Sequence, residues 1–266
     1  MGSAYEGEHF VFIVGSPRSG TTIAAETLAR HPELAYLYEP YYLWNRGSGS
    51  GDDDERGASD LDEATVAFIR EACHGFWQRS GARFVVEQSP EESLMLPLMR
   101  RVLPRARFVH LVRDGRDAAV SCWFHYKRVK PDQVTQRWGG DFQAFLETSA
   151  QQWAQETAKG HAAAERWPEQ VVELRYEDLL EHPTAALARL ARFLGVSDDP
   201  GVLEECLAAA DFGKLSGGRS PGEEERGSFF RKGVAGDWRE HFDPLTEARF
   251  ETLAGAQLRA YGYETG

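Results

Sequence analysis

A run near the N-terminus, FVFIVGSPRSGTT at 10–22, constrains the fold of this chain more than any other segment. The apolar residues Phe10 to Val14 are typical of a buried strand, and a turn containing Gly15 and Gly20 follows them. An amphipathic helical pattern begins directly after this turn. A strand, a loop of small residues and a helix N-terminus together form a cradle for phosphate. The run therefore predicts a phosphate-binding loop.

This loop departs at one position from the NTP-binding pattern G-x-x-x-x-G-K-[ST]. Thr21 stands where that pattern has its lysine, and a cation, Arg18, lies inside the loop instead. A phosphate loop without that lysine indicates a ligand other than ATP with magnesium. A tight strand-to-helix turn that binds nothing is the plainer alternative. The residues predicted to contact the ligand are Ser16, Pro17, Arg18, Ser19, Gly20, Thr21 and Thr22.

Strand-like and helical patterns alternate along the rest of the chain. Further strand-like segments lie at 34–38, 84–86, 108–112 and 171–174. This alternation predicts an α/β fold in which a parallel sheet is flanked by helices. Because the sequence contains no clear linker or repeat, we predict a single domain over residues 1–266. Two irregular segments, 46–60 and 216–228, are predicted to be flexible loops, and the second is long enough to be a lid.

Composition narrows the class of protein. The formal net charge of −12 argues against general nucleic-acid binding. No apolar stretch approaches the roughly 18 residues that span a bilayer, and no signal-peptide pattern opens the chain, so we predict a soluble cytoplasmic protein. The cysteines are odd in number and lack metal-ligand spacing, which predicts reduced thiols and no metal site. Abundant arginine and alanine are typical of a GC-rich bacterial genome.

Polar residues follow the predicted strands. After the second to fifth strands, in order, come Glu39, Glu87, Arg113 and Arg175–Tyr176. Ligands of an open parallel sheet bind beyond the carboxyl ends of its strands. Together with the first loop, these residues therefore predict one site along a single edge of the sheet.

Two further segments carry cations beside small residues: VHLVRDGRDAAVSCW at 109–123 and FFRKGVAGDWREHF at 229–242. In the first, Arg113 and Ser121 can bind a phosphate through charge-assisted hydrogen bonds. In the second, the basic pair precedes Gly233, whose backbone can approach a ligand closely. Taken alone, each segment has a plainer explanation, an Arg–Asp pair with a helix cap or a solvated basic surface.

In order along the chain, these motifs resemble those of the sulfotransferases that use 3′-phosphoadenosine 5′-phosphosulfate (PAPS). GSPRSGTT resembles their 5′-phosphosulfate loop, LVRDGRDAAVS their 3′-phosphate motif, and RKGVAGDW the motif that closes over the nucleotide. RYEDLLEHP at 175–183 resembles a further signature whose tyrosine lies near the adenine. The resemblance spans residues 10–242. It implies a P-loop-like phosphosulfate-binding loop on a parallel sheet, PAPS as donor, adenosine 3′,5′-bisphosphate (PAP) as product, and no metal.

The resemblance also implies roles for the matching residues. The loop at 16–22 would hold the phosphosulfate, with Arg18 neutralising its charge. The 3′-phosphate would be bound by Arg113, Ser121, Arg231, Lys232 and Gly233, and the adenine would be bordered by Tyr176 and Phe229.

A catalytic base is implied by the segment YLYEP at 36–40, which is similar to one in carbohydrate 6-O-sulfotransferases. Tyrosyl-protein sulfotransferases share PRSGTT followed by a glutamate at this spacing, and because that glutamate is their base, Glu39 inherits the role. The cytosolic small-molecule branch instead has a histidine after its third strand, where this chain has EQSP at 87–90. Glu87 and His125 therefore remain second candidates for the base.

The sequence determines neither the oligomeric state nor the identity of the acceptor, which carries a hydroxyl or an amine. The residues predicted to line its pocket are Tyr41, Tyr42, Trp44, Glu87, Trp123, His125 and Tyr126. Most of these residues are aromatic, and aromatic pocket walls suit small phenols, carbohydrates and lipid-like alcohols alike. Two other functions also stay open, a P-loop kinase and a catalytically silent nucleotide-binding module.

Overall fold

One parallel sheet organises the chain. The structure, a computed structural model, describes residues 5–40, 43, 61–88, 96–225 and 228–265. Within these residues the strands are β1 (Phe10–Val14), β2 (Leu34–Tyr38), β3 (Phe84–Gln88), β4 (Arg107–Val112) and β5 (Val171–Arg175). They lie in the order β2-β3-β1-β4-β5, and every neighbouring pair is parallel. The predicted α/β fold is confirmed.

Helices follow the strands and cover both faces of the sheet. They are α1 (Thr21–Leu28), α2 (Glu63–Ser80), α3 (Leu96–Val102), α4 (Gly115–Val129), α5 (Pro131–Trp138), α6 (Phe142–Arg166), α7 (Tyr176–Glu181), α8 (Pro183–Leu194), α9 (Pro200–Ala209), α10 (Phe212–Leu215) and α11 (Pro244–Ala260), with a 3₁₀ helix at Asp237–Glu240. In the described part of the chain, none of them combines the length and the apolar composition that crossing a membrane requires.

The central strands are buried on both faces because their side chains alternate between two apolar clusters. Phe10, Phe12 and Phe108 pack on one face with α2 and α3. Val11 and Ile13 pack on the other face with α1, α8 and α9. This double burial explains why β1 is a continuous apolar run rather than an alternating one.

The loop after β1 lies at the switch point of the sheet. Strands β2 and β3 are on one side of β1, and β4 and β5 are on the other. Ligands of such sheets bind where the strand order reverses. The chain leaves β1 close to β4, since a Cβ on Gly15 would lie 2.4 Å from the carbonyl oxygen of Leu111.

The two segments predicted to be flexible loops are described only in part by the structure. Residues 216–225 and 228 lie outside helices and strands, as expected for a loop. The segment 46–60 lies outside the described residues. The single-domain assignment stays a prediction.

Candidate functional site

A cavity of about 330 Å³ opens beyond the carboxyl ends of β1, β2, β4 and β5. It brings together most of the residues predicted from the sequence. Those that line it are Pro17, Arg18, Gly20, Thr21, Thr22, Glu39, Arg113, Ser121, His125, Tyr126, Tyr176, Phe229, Arg231, Lys232 and Gly233.

The loop after β1 leaves several hydrogen-bond donors without a partner. Ser16 and Ser19 are buried, and their hydroxyls have no hydrogen-bond partner in the described part of the chain. Helix α1 begins at Thr21 with no side-chain cap, and the first N–H groups of a helix have no partner within it. Such a group of donors at a helix N-terminus attracts an anion.

Gly20 shapes this loop. Its φ of +93° is left-handed, and a Cβ there would lie 2.4 Å from the Tyr176 ring. The ring of Tyr176, at the start of α7, therefore packs directly against the loop backbone. Only glycine combines this conformation with this contact.

Arg18 links the loop to two other segments. Its Nε donates to the Ser121 hydroxyl at 3.3 Å, and its Nη2 donates to the Phe229 carbonyl at 2.6 Å. The guanidinium also lies over the Phe229 ring, 4.2 Å from its centroid. Burial lowers the pKa of Arg18 below its ordinary value, and the nearby Arg113 acts in the same direction. A bound anion would relieve this cost of holding two cations together.

Arg113 is buried at the centre of the site. Its Nη1 donates to the Arg18 carbonyl and its Nη2 to the Val234 carbonyl, both at 3.1 Å. The guanidinium lies over the Tyr176 ring, 4.7 Å from its centroid. Its Nε is buried without a hydrogen-bond partner among the described residues. Arg113 thus joins the loop, α7 and the C-terminal segment at 229–242, and its Nε–H can still donate to a ligand.

The basic pair Arg231 and Lys232 is already held by carboxylates. Arg231 donates to Glu224 at 2.7 Å and to buried Asp237. Lys232 Nζ donates to Asp237 at 2.5 Å and to Glu240 at 2.8 Å. The Nε of Arg231 is buried and, like that of Arg113, has no partner within the described ranges.

Helix α4 holds this C-terminal segment in place. The buried carboxylate of Asp117 accepts from the backbone N–H of Gly236 at 2.7 Å and of Trp238 at 2.9 Å. Gly233 has φ +67°, and a Cβ there would lie 2.4 Å from the Phe212 ring. The basic segment therefore passes between α4 and α10 with no room for a larger residue at Gly233.

Glu39 lines the cavity directly after β2. Its N–H donates to the Gln88 carbonyl at 3.0 Å, and its φ is +40°. Among the described residues, Arg18 and Glu39 are the two non-glycine residues with positive φ. Such conformations cost roughly 1–3 kcal/mol and cluster at functional sites.

His125 has a defined tautomer. Its Nδ1 lies 3.3 Å from Nη2 of Arg128. Because a guanidinium can only donate, Nδ1 accepts and the ring proton is on Nε2. Burial and the cations Arg18, Arg128 and Lys130 lower the pKa of His125 to about 4. The ring is therefore neutral near pH 7 and presents an N–H donor rather than a base.

Four predicted site residues within the described ranges do not line the cavity: Ser16, Ser19, Trp123 and Glu87. Trp123 is buried in an apolar cluster with Val134 and Phe145, so its prediction as a pocket wall is corrected. Glu87 is fully buried in β3, on the sheet face that packs against Cys73 of α2. Burial and the Glu87 charge raise the pKa of Cys73. Glu87 therefore does not contact the cavity. The remaining predicted pocket residues, Tyr41, Tyr42 and Trp44, lie outside the described residues.

Several cavity residues were missed by the sequence patterns. These are Ile23, Tyr38, Cys122, Lys130, Phe212 and Phe230. Most of them adjoin a predicted residue, so proximity along the chain was a usable signal. Lys130 and Phe212 adjoin no predicted residue, and only the tertiary fold brings Phe212 of α10 against Gly233.

Comparison with known proteins agrees with this geometry. The model of the Sulfotransferase family matches residues 11–200. The protein-tyrosine sulfotransferase 1 of Danio rerio is 28% identical over 222 residues, which cover 77% of this chain and 59% of that protein. The chain thus spans less than two thirds of that relative's length.

Solved structures share the fold. The mouse sulfotransferase SULT7A1 complexed with PAP matches 97% of this chain and 86% of its own, with a TM-score of 0.67 and 20% identity. Retinol dehydratase in complex with retinol and PAP matches 98% of this chain and 84% of its own, with a TM-score of 0.62 and 21% identity. With the family model covering most of the chain and the phosphate loop at the switch point of the sheet, this protein belongs to the sulfotransferase family.

Proposed function

We propose that this protein transfers a sulfuryl group from PAPS to an acceptor hydroxyl or amine. One observation carries the proposal. The cavity is lined by both the phosphate loop and two buried arginines, Arg113 and Arg231, whose Nε–H groups have no partner in the described part of the chain. A nucleotide with a phosphosulfate and a separate 3′-phosphate supplies anionic oxygens for both sets of donors.

The residues fit an in-line transfer dominated by charge stabilisation. A bond forms between the acceptor oxygen and sulfur as the bond from sulfur to the 5′-phosphate oxygen breaks. Arg18 and the loop N–H groups stabilise the negative charge that the 5′-phosphate gains. The acceptor proton passes to Glu39 and from there to water. This step requires no metal.

Glu39 is the favoured base among the three candidates. It lines the cavity, whereas Glu87 is buried in the sheet away from it. His125 also lines the cavity, but its Nδ1 accepts from Arg128 and its Nε2 carries the proton. His125 is therefore suited to donate a hydrogen bond to a sulfuryl or acceptor oxygen.

The acceptor is proposed only by class. For the acceptor, the cavity offers aromatic walls at Tyr38 and Tyr126. The structurally similar retinol dehydratase was solved with retinol, so this fold can hold an apolar alcohol. A small phenol, a carbohydrate and a lipid-like alcohol are the candidate acceptors. The cytoplasmic location and bacterial origin stay predictions.

Two measurements on the full chain test the function. We expect PAP to raise the melting temperature more than AMP or ATP with Mg²⁺ at equal concentration, because tighter binding stabilises the folded state more. We also expect mass spectrometry to detect a sulfated product when PAPS is offered with a library of phenols, sugars and alcohols. Preferential stabilisation by ATP with Mg²⁺ would instead support a kinase. Binding of PAP with no transfer would support a silent nucleotide-binding module.

A further inference from the structure

We propose that Arg219 is a positioning residue that makes the donor site selective for 3′-phosphorylated nucleotides. It does so by holding the segment 228–233, which contains the basic pair. This inference rests on the proposed use of PAPS.

The guanidinium of Arg219 uses every one of its N–H groups. Nε donates to the Ser216 carbonyl at 3.3 Å, and Nη1 donates to the carbonyls of Glu223 at 3.1 Å and Arg231 at 2.9 Å. Nη2 donates to the Ser228 hydroxyl at 2.8 Å and to the Phe230 carbonyl. An arginine has five such donors in a rigid fork, so this side chain is saturated by acceptors of its own loop.

These acceptors come from two stretches that backbone hydrogen bonds also join. The N–H of Gly222 donates to the Lys232 carbonyl at 2.8 Å, and the N–H of Glu225 donates to the Arg231 carbonyl at 3.0 Å. Residues 216–225 thus hold residues 228–233 in place through hydrogen bonds, and the largely buried Arg219 lies between the two stretches. Residues Phe229 to Gly233 of the second stretch line the cavity.

Two arginines hold consecutive carbonyls of this segment. Arg18, from the phosphate loop, donates to the carbonyl of Phe229. Arg219 donates to the next two carbonyls, those of Phe230 and Arg231. Arg18 can exchange its contact for a bound phosphosulfate, but Arg219 does not line the cavity. Arg219 therefore fixes the position of the segment whether or not the phosphosulfate is bound.

The position of the segment 228–233 affects binding of the 3′-phosphate in particular. The resemblance assigns the 3′-phosphate to Arg113 and Ser121 together with Arg231, Lys232 and Gly233, and the 5′ group to the loop after β1. Three of these five residues lie in the segment that Arg219 holds. Loss of Arg219 leaves that loop and Arg113 in place but removes the side-chain hydrogen bonds that position Ser228, Phe230 and Arg231. The affinity for a 3′-phosphorylated nucleotide should then fall more than that for its 5′-monophosphate analogue.

The test compares PAP with AMP by isothermal titration calorimetry on the full chain. The variants are Arg219→Ala and Arg219→Lys, which has three donors instead of five. In both we expect PAP binding to weaken by about tenfold or more, the effect of losing one or two net hydrogen bonds. AMP binding should change by less than about threefold. Arg192→Ala is the control, since it removes an exposed ion pair with Asp198 and does not touch the cavity lining.

Kinetics separate positioning from a general loss of structure. We expect the KM for PAPS to rise in Arg219→Lys while kcat at saturating PAPS and the KM for the acceptor stay near wild type. If Arg219→Ala lowers the melting temperature, Arg219→Lys and Ser228→Ala make the same comparison with a smaller perturbation.

Two outcomes have different meanings. Equal weakening of PAP and AMP, or none, in a variant that is folded like wild type overturns the role of Arg219. A wild-type protein that does not prefer PAP to AMP overturns the proposed donor, and with it the premise of this inference.

Discussion

At the scale of single residues, the site depends on side chains whose backbone or charge state is unusual. Glu39 and Arg18 both have positive φ without being glycine. His125 is neutral because it is desolvated among cations. At Arg18, hydrogen bonds to Ser121 and Phe229 offset part of this cost. Costs of this kind are tolerated where they position a reacting group.

The role of Glu39 can be tested by removing its charge. Glu39→Gln should lower kcat by about 100-fold or more, because the acceptor proton loses its base, and should leave PAP affinity unchanged. Steady-state kinetics and PAP titration measure the two effects. The control is Glu26→Gln on α1, which removes a surface ion pair with Arg30. A turnover rate that survives Glu39→Gln would contradict the assignment.

The charge state of His125 can be tested without any activity assay. Removing a nearby cation stabilises the imidazolium, so Arg128→Met should raise the pKa of His125 from about 4 toward its ordinary value. Burial and Arg18 remain, so the pKa should stay below that value. Titration of the ring protons by NMR measures it, with Arg137→Met on α5 as a control. An unchanged or lower pKa would show that Arg128 does not face the ring.

At the scale of elements, the site is made where four elements end or begin together. β1 ends in the phosphate loop, α4 supplies Asp117 and Ser121, α7 begins with Tyr176, and the C-terminal segment closes the cavity. Glycines permit the closest approaches. Gly20 lies against Tyr176 and Gly233 against Phe212, both with positive φ.

The contact of Gly20 with Tyr176 can be separated from backbone strain. Gly81 also has positive φ but open space around its Cβ position, so Gly81→Ala should cost only about 1–2 kcal/mol of stability. Gly20→Ala should cost roughly a further 1–3 kcal/mol because the new methyl group overlaps the ring. Urea unfolding measures both. Gly20→Ala should also weaken PAP binding, whereas equal costs and unchanged binding would contradict a tight loop.

At the scale of the whole molecule, a polar cluster outside the cavity joins the sheet to the flanking helices. Glu173 of β5 accepts from His110 of β4 at 3.0 Å, from His161 of α6 at 2.9 Å and from Tyr261 beyond α11. Burial opposes ionisation, but these hydrogen bonds outweigh it and lower the pKa of Glu173 to about 2. The cluster thus joins β4 and β5 to α6 and to the residues after α11 through one carboxylate.

This cluster predicts the acid sensitivity of the fold. A carboxyl whose folded pKa lies below its unfolded value stabilises the protein above the unfolded pKa and loses that effect as pH falls. The shift of the Glu173 pKa from 4.5 to about 2 corresponds to at most about 3 kcal/mol of unfolding free energy. This is an upper value because the side chain is 21% exposed and solvent screens its interactions. Glu173→Gln should therefore be less stable than wild type at pH 7, and the difference should shrink as pH falls below about 4.5. Urea unfolding at several pH values measures it, and a constant difference would contradict the linkage.

The sequence by itself determined the strand–loop–helix at 10–22, the β-strands and the order of the motifs. These features are local: an apolar run, a pair of glycines and a helical period report on the backbone within a few residues. The same local patterns placed Arg18, Glu39, Arg113 and the basic pair at the ends of strands or in loops. The family model matches residues 11–200, a range that contains the phosphate loop, Glu39 and Arg113.

Only the tertiary structure decided which side chains meet. The strand pattern did not show that the Glu87 side chain is buried against the sheet. The helical pattern did not show that Trp123 packs away from the cavity. Both orientations depend on which face of the strand or helix a neighbouring element covers. Arg219 stood in a segment predicted only as a flexible lid, yet it binds acceptors up to 12 residues away along the chain. Arg18 meets Phe229 across 211 residues. Such pairings arise from packing of the whole chain, and no local pattern encodes them.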